Sequence, residues 1–134
     1  MKKFFSKVDK KKLLHIVSEN RSKDISRLDL TNPDLPLQVS RINLRNSTTK
    51  PHFHKKKIIP QIEVETNECW IILNGSIKIS LFDIDKTKIA NLTLGKGSIL
   101  ITLSGGHSID NTSKDSELAE IKLGPYKKND LEYY

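Results

Sequence analysis

From residue 37 onward the chain is cut into short apolar runs by turn signals, and this punctuation constrains the fold most. Leu37, Val39, Ile42 and Leu44 stand among polar residues, with one slip at Ser40-Arg41 that predicts a bulge. Residues 69–73 form a second run, closed by Asn74-Gly75. That dipeptide predicts a hairpin, because both central residues of a type I′ turn need positive φ. Ile77, Ile79 and Leu81 then alternate with Lys78, Ser80 and Phe82, and Asp83-Ile84-Asp85-Lys86 predicts another hairpin. Strands follow over 88–94 and 98–103, then a short one carrying His107 and Ile109, then 118–123, ended by Gly124-Pro125. About eight short strands at this spacing predict an all-β antiparallel sandwich or closed barrel. No helical pattern recurs after residue 20, which excludes a βαβ fold. Ile58, Ile59, Ile62 and Val64 suit a further strand, which Pro60 demotes to an edge or a loop.

The first 20 residues read differently. Asp9 is placed to cap a helix running to about Asn20, with Leu13, Ile16 and Val17 as an apolar stripe at i, i+3 and i+4. His15 lies off that stripe and is expected at the surface. The expected organisation is an N-terminal helix and irregular connection over 1–36, a β domain over 37–124 and a polar tail over 125–134.

Composition sets limits on function. The net charge is +7, but the Lys10-Lys11-Lys12 and Lys55-Lys56-Lys57 clusters have no interleaved aromatic residues to stack on bases. A solvated basic surface is the expectation, and a nucleic-acid partner is not. No run of 18 apolar residues exists, so no membrane-spanning helix is expected, and the basic start lacks a signal-peptide core. A cytoplasmic protein is expected. The single Cys69 cannot form an internal disulfide and reads as a small buried hydrophobe.

Three of the four histidines fall in two places. His52 and His54 are two apart, so on an extended strand both point to one face. Glu68 opens the strand over 69–73, and His107 follows Gly105-Gly106. In a closed barrel these four side chains converge, and three imidazoles with a carboxylate make a metal site.

These residues resemble the two motifs of the cupin superfamily. The first motif reads His52-Phe53-His54, then Glu68, six residues and Gly75. The second reads Gly97, Gly106, His107 and Asn111. The resemblance covers about residues 37–124. It implies a double-stranded β-helix, a jelly-roll barrel, with His52, His54, Glu68 and His107 as metal ligands and Gly75 and Gly106 as structural turns. Two features depart from the pattern. Thirteen residues, 55–67, separate His54 from Glu68, so Gln61, Glu63 or Glu65 compete for the carboxylate role. Ser104-Gly105-Gly106 stands where a proline is usual. The chain is also similar to small bacterial cupins with a long inter-ligand loop and a Gly-Pro-Tyr, here Gly124-Pro125-Tyr126.

The resemblance implies a divalent transition metal (Fe, Mn, Ni, Cu or Zn) and a metalloenzyme acting on a small oxygenated substrate such as a sugar or sugar nucleotide. The reaction would be of isomerase/epimerase, lyase or dioxygenase type. The alternative is a non-catalytic small-ligand-binding or sensor protein. Residues 55–57 at the mouth would attract an anionic ligand, and a homodimer is expected, through the N-terminal helix and an outward Phe82. Trp70 shares parity with Glu68 and faces the interior, as core or as a wall for a ring. Glu120 and Lys122 face solvent if Ala119, Ile121 and Leu123 pack between the sheets, and otherwise line the cavity as acid/base groups.

Overall fold

The computed structural model describes residues 1–19, 27–43, 50–53 and 65–123. They form strands β1 (Lys2–Phe5), β2 (Leu13–Ser18), β3 (Arg27–Asp29), β4 (Ser40–Ile42), β5 (Glu68–Asn74), β6 (Ser76–Phe82), β7 (Lys88–Gly95), β8 (Ile99–Thr102), β9 (Gly106–Thr112) and β10 (Glu117–Lys122). The chain divides into two compact units, one of Met1–Arg21 with Thr66–Tyr134 and one of Ser22–Glu65.

In the first unit, two antiparallel sheets have the strand orders β1-β2-β8-β5-β10 and β7-β6-β9. Val17, Trp70, Ile72 and Leu100 of the first sheet pack with Ile77, Ile79, Leu81 and Leu94 of the second in one buried cluster. Burying each aliphatic side chain contributes about 1.5–3 kcal/mol. The all-β, antiparallel expectation is met as a sandwich. The described strands form separate sheets and do not close into a barrel.

The expected N-terminal helix is a strand. Leu14, His15, Ile16, Val17 and Ser18 are all buried, so β2 has no solvent face. It lies between β1 and β8. A short apolar run fits a buried strand as well as a helical stripe, and the adjacent β-branched Ile16 and Val17 favour the strand. Asp9 shapes a turn instead of capping a helix. Its carboxylate accepts from the Lys11 amide and its carbonyl from the Lys12 amide. The Asp83 carboxylate accepts from the Lys7 amide at 2.6 Å, which ties this turn to the β6–β7 hairpin.

Asn74-Gly75 is not a hairpin. β5 pairs with β8 and β10, and β6 with β7 and β9, so this turn carries the chain from one sheet to the other. Gly75 has φ +63°, whereas Asn74 keeps an ordinary φ. A Cβ on Gly75 would lie 2.5 Å from Ser113 Oγ and 2.8 Å from the Ser116 Cα, so close approach joins the backbone angle in demanding glycine. The hairpin at Asp83-Ile84-Asp85-Lys86 is present, with Lys86 at φ +71°. The chain then crosses between the sheets after β7, β8 and β9.

In the second unit β3 pairs with β4 in regular register, without the bulge expected at Ser40-Arg41. Arg27 Nε donates to Asp29 Oδ1 at 2.9 Å, and its Nη2 donates to Ser40 Oγ at 2.9 Å. The expectations for His54, for residues 55–64 and for the tail over 124–134 lie outside the described residues. Among the described residues no helix is long and apolar enough to cross a membrane.

Candidate functional site

Antiparallel pairing places directly opposed residues on one face. Across the five-stranded sheet, His15 opposes Thr102, Thr102 opposes Glu68, and Glu68 opposes Lys122. The neighbouring row is Val17, Leu100, Trp70 and Glu120. Val17, Leu100 and Trp70 belong to the core, so both rows face the second sheet. The first row is thus polar on an otherwise apolar inner face. His107 comes from the second sheet, where it opposes the fully buried Leu81.

His107 Nε2 stands 3.5 Å from Glu68 Oε1, with 20% and 13% of the two side chains exposed. Its Nδ1 lies 3.2 Å from Thr102 Oγ1. The Trp70 ring packs edge-on against the imidazole, with centroids 4.4 Å apart and planes at 76°. Trp70 is therefore both core and wall. Its Nε1 donates to Glu120 Oε2 at 3.4 Å, and Lys122 Nζ lies 3.1 Å from Glu120 Oε1. By register Glu120 and Lys122 share the inner face with Glu68, but on edge strand β10 the Glu120 side chain is 41% exposed; Ile121 and Leu123, on the other face, are exposed as well. Beside Glu68, Asn67 donates to the Leu103 carbonyl and accepts from the Leu123 amide.

Burial raises the Glu68 carboxyl, but the His107 imidazole, with contacts to Glu120 and Trp70, lowers it further and holds it below its ordinary value. Glu68 Oε1 is nonetheless buried without a hydrogen bond. Cys69 points to the other face, buried, and desolvation with the Glu68 charge pushes its thiol up to about 11. Its burial is that expected of a small hydrophobe.

His15, expected at the surface, is fully buried. Its Nδ1 lies 3.2 Å from Thr102 Oγ1 and its Nε2 lies 3.2 Å from the Phe82 carbonyl oxygen. Desolvation lowers it to about 4, with the Phe82 carbonyl and Asp83 opposing and His107 adding to the shift. Gly105, at φ +74°, permits this packing, because a Cβ there would collide with the Phe82 carbonyl oxygen. The turn glycine here is Gly105; Gly106 begins β9.

Of the four expected ligands, Glu68 and His107 come together. His52 belongs to the second unit and is exposed, with Nδ1 3.0 Å from the Lys50 carbonyl oxygen. His54 lies outside the described residues. Among the described residues no group of three or more His, Cys, Asp or Glu side chains is arranged to hold a metal ion. The donors do fit a shared ion as a pair. Ligand bonds of about 2.1 Å set at roughly tetrahedral angles separate two donor atoms by about 3.4 Å, and the observed separation is 3.5 Å. No family model, curated protein or solved structure matches this chain.

Proposed function

We propose that this is a metal-binding protein of cupin type, a metalloenzyme acting on a small oxygenated substrate. The observation that carries the reading is the approach of Glu68 Oε1 to His107 Nε2 on the inner face of the sandwich, with that oxygen buried and lacking a hydrogen bond. A buried anionic oxygen without a donor is costly unless a cation meets it. Two packed antiparallel sheets, between which the chain crosses repeatedly, support the jelly-roll resemblance.

In this reading the ion would be a divalent transition metal, supplying Lewis-acid chemistry toward a substrate oxygen, and the sequence spacing names His52 and His54 as further candidate donors to test by substitution. The protein's own groups do the rest. Trp70 presents an apolar wall beside Glu68 and His107, and Lys122, directly opposite Glu68, with Glu120, opposite Trp70, would serve as a proton-transfer pair. A homodimer, expected from the sequence, would show twice the chain mass in light scattering.

Elemental analysis of the purified protein tests the metal reading, beside a Glu68→Ala/His107→Ala variant and a His52→Ala/His54→Ala variant. A stoichiometric transition metal lost in both variants is the expected result. No metal in the parent protein after incubation with each candidate ion and desalting would overturn it.

A further inference from the structure

We propose that His15, acting through Thr102, is a positioning residue that holds His107 as its Nδ1–H tautomer and turns the bare Nε2 toward Glu68. The protons along one hydrogen-bonded line can be counted. His15 is fully buried, and its Nε2 faces a carbonyl oxygen, which only accepts. The proton of a neutral His15 is therefore on Nε2, and its Nδ1 is bare. Burial holds the ring neutral at ordinary pH. A bare Nδ1 at 3.2 Å takes the single hydroxyl proton of Thr102. The Thr102 oxygen is then left to accept, and its second neighbour at 3.2 Å is His107 Nδ1, which must donate.

The far side of His107 agrees. The Nδ1 contact with Thr102 at 3.2 Å has hydrogen-bond geometry, whereas the 3.5 Å from Nε2 to Glu68 Oε1 falls outside it, so the attraction that holds the Glu68 carboxyl low belongs to the protonated ring and not to the neutral tautomer. The opposite tautomers would set the bare Nε2 of His15 against the Phe82 carbonyl, two buried acceptors face to face. The line thus delivers an imidazole lone pair and a carboxylate oxygen to the same point. Such a pair receives a cation, and outer groups of this kind fix the tautomer and orientation of metal-binding imidazoles. The use of the tautomer, though not the tautomer itself, rests on the metal-binding reading above.

Two readouts separate the tautomer from its use. Long-range proton–nitrogen NMR of metal-free protein with labelled histidine, at about pH 8.5, reads each ring's tautomer above the ordinary imidazole range. The expected result is His15 protonated at Nε2 and His107 at Nδ1. Thr102→Val removes the acceptor, and His15→Phe frees the hydroxyl to donate to His107. Each variant shifts His107 toward the Nε2–H form, whereas Thr102→Ser keeps the parent state. The amide spectrum reports whether the sheets remain intact, and Thr102→Val, nearly isosteric, carries the test if His15→Phe does not fold. A His107 protonated at Nε2 in the parent protein, or unmoved in Thr102→Val, overturns the proposal. Titration with Zn(II) gives the second readout. Affinity falls by about 10–100-fold in Thr102→Val and recovers in Thr102→Ser. Expected tautomers in a parent protein that binds none of the candidate ions would support the relay and overturn the metal reading instead.

Discussion

Thr102 stands directly opposite Glu68 in the pairing of β8 with β5, and directly opposite His15 in the pairing of β8 with β2. One hydroxyl therefore sits midway along a polar row whose members come from separate strands. Next to Thr102 in that row stands Glu68, whose Oε1 has no hydrogen bond. Because the fold holds the Glu68 carboxyl below its ordinary value, Glu68→Gln should lower stability slightly at neutral pH, by no more than about 1 kcal/mol in urea denaturation. The same variant should lose zinc affinity by at least the roughly 100-fold that marks the upper range for loss of an outer-shell partner. Equal zinc affinity in the variant and the parent protein would remove Glu68 from the donor set.

His15 makes stability depend on pH. Its folded value, about 4, lies below its ordinary 6.5, so between those values the unfolded chain binds the proton more readily. Its stabilising contribution is complete above about pH 6.5 and is lost as pH falls toward 4, by about 3 kcal/mol in all. The charged or titratable neighbours are His107, which adds to the shift, and Asp83, which opposes it. Urea denaturation at several values across this window should show the slope, and His15→Phe should flatten it. An unchanged slope in that variant would assign the dependence to other groups.

Gly75 and Gly95 make a matched pair. Gly75→Ala forces a side chain into left-handed φ, which costs about 1–2 kcal/mol, and drives its Cβ into the Ser116 backbone. Gly95 lies in β7, and a Cβ added there would have nothing within 4 Å, so Gly95→Ala should be neutral or stabilise by about 0.4–1 kcal/mol. Thermal denaturation of both variants tests the crossing turn directly. Equal effects would contradict the geometry given for Gly75.

The strands from β5 to β10 are legible in the sequence because each has period-two alternation or a turn signal at both ends. Their partners are not. Asn74-Gly75 has hairpin chemistry, yet Ser113 and Ser116, distant in sequence, crowd the turn, and the strands it joins belong to different sheets. β2 has no polar face, so nothing in its pattern separates a buried strand from a helical stripe. Glu68 and His107 are legible through motif spacing. His15 and Thr102 are not, since each is one polar residue in an apolar strand and gains meaning only from the register. The inner placement of Glu120 is open in the sequence for the same reason. It has a direct check: Ile121→Ala, at 48% exposure, should change stability by less than about 0.5 kcal/mol, whereas Ile79→Ala, at 0%, should cost about 2–5 kcal/mol.

Trp70 is the chain's single tryptophan, and its ring centroid lies 4.4 Å from that of His107. Its emission therefore reports on this site alone. A paramagnetic ion such as Co(II) or Cu(II) bound at His107 would accept excitation energy or an electron from the indole at contact range and quench it strongly. Zn(II), with a filled d shell, offers neither route and should shift the spectrum only slightly. Co(II) titration should then give saturable quenching in the parent protein, reversed by excess Zn(II), which competes for the same donors. Glu68→Gln should need at least tenfold more Co(II) for half-quenching. Quenching that rises linearly without saturation, or that excess Zn(II) fails to reverse, would mean collision in solution rather than binding beside Trp70.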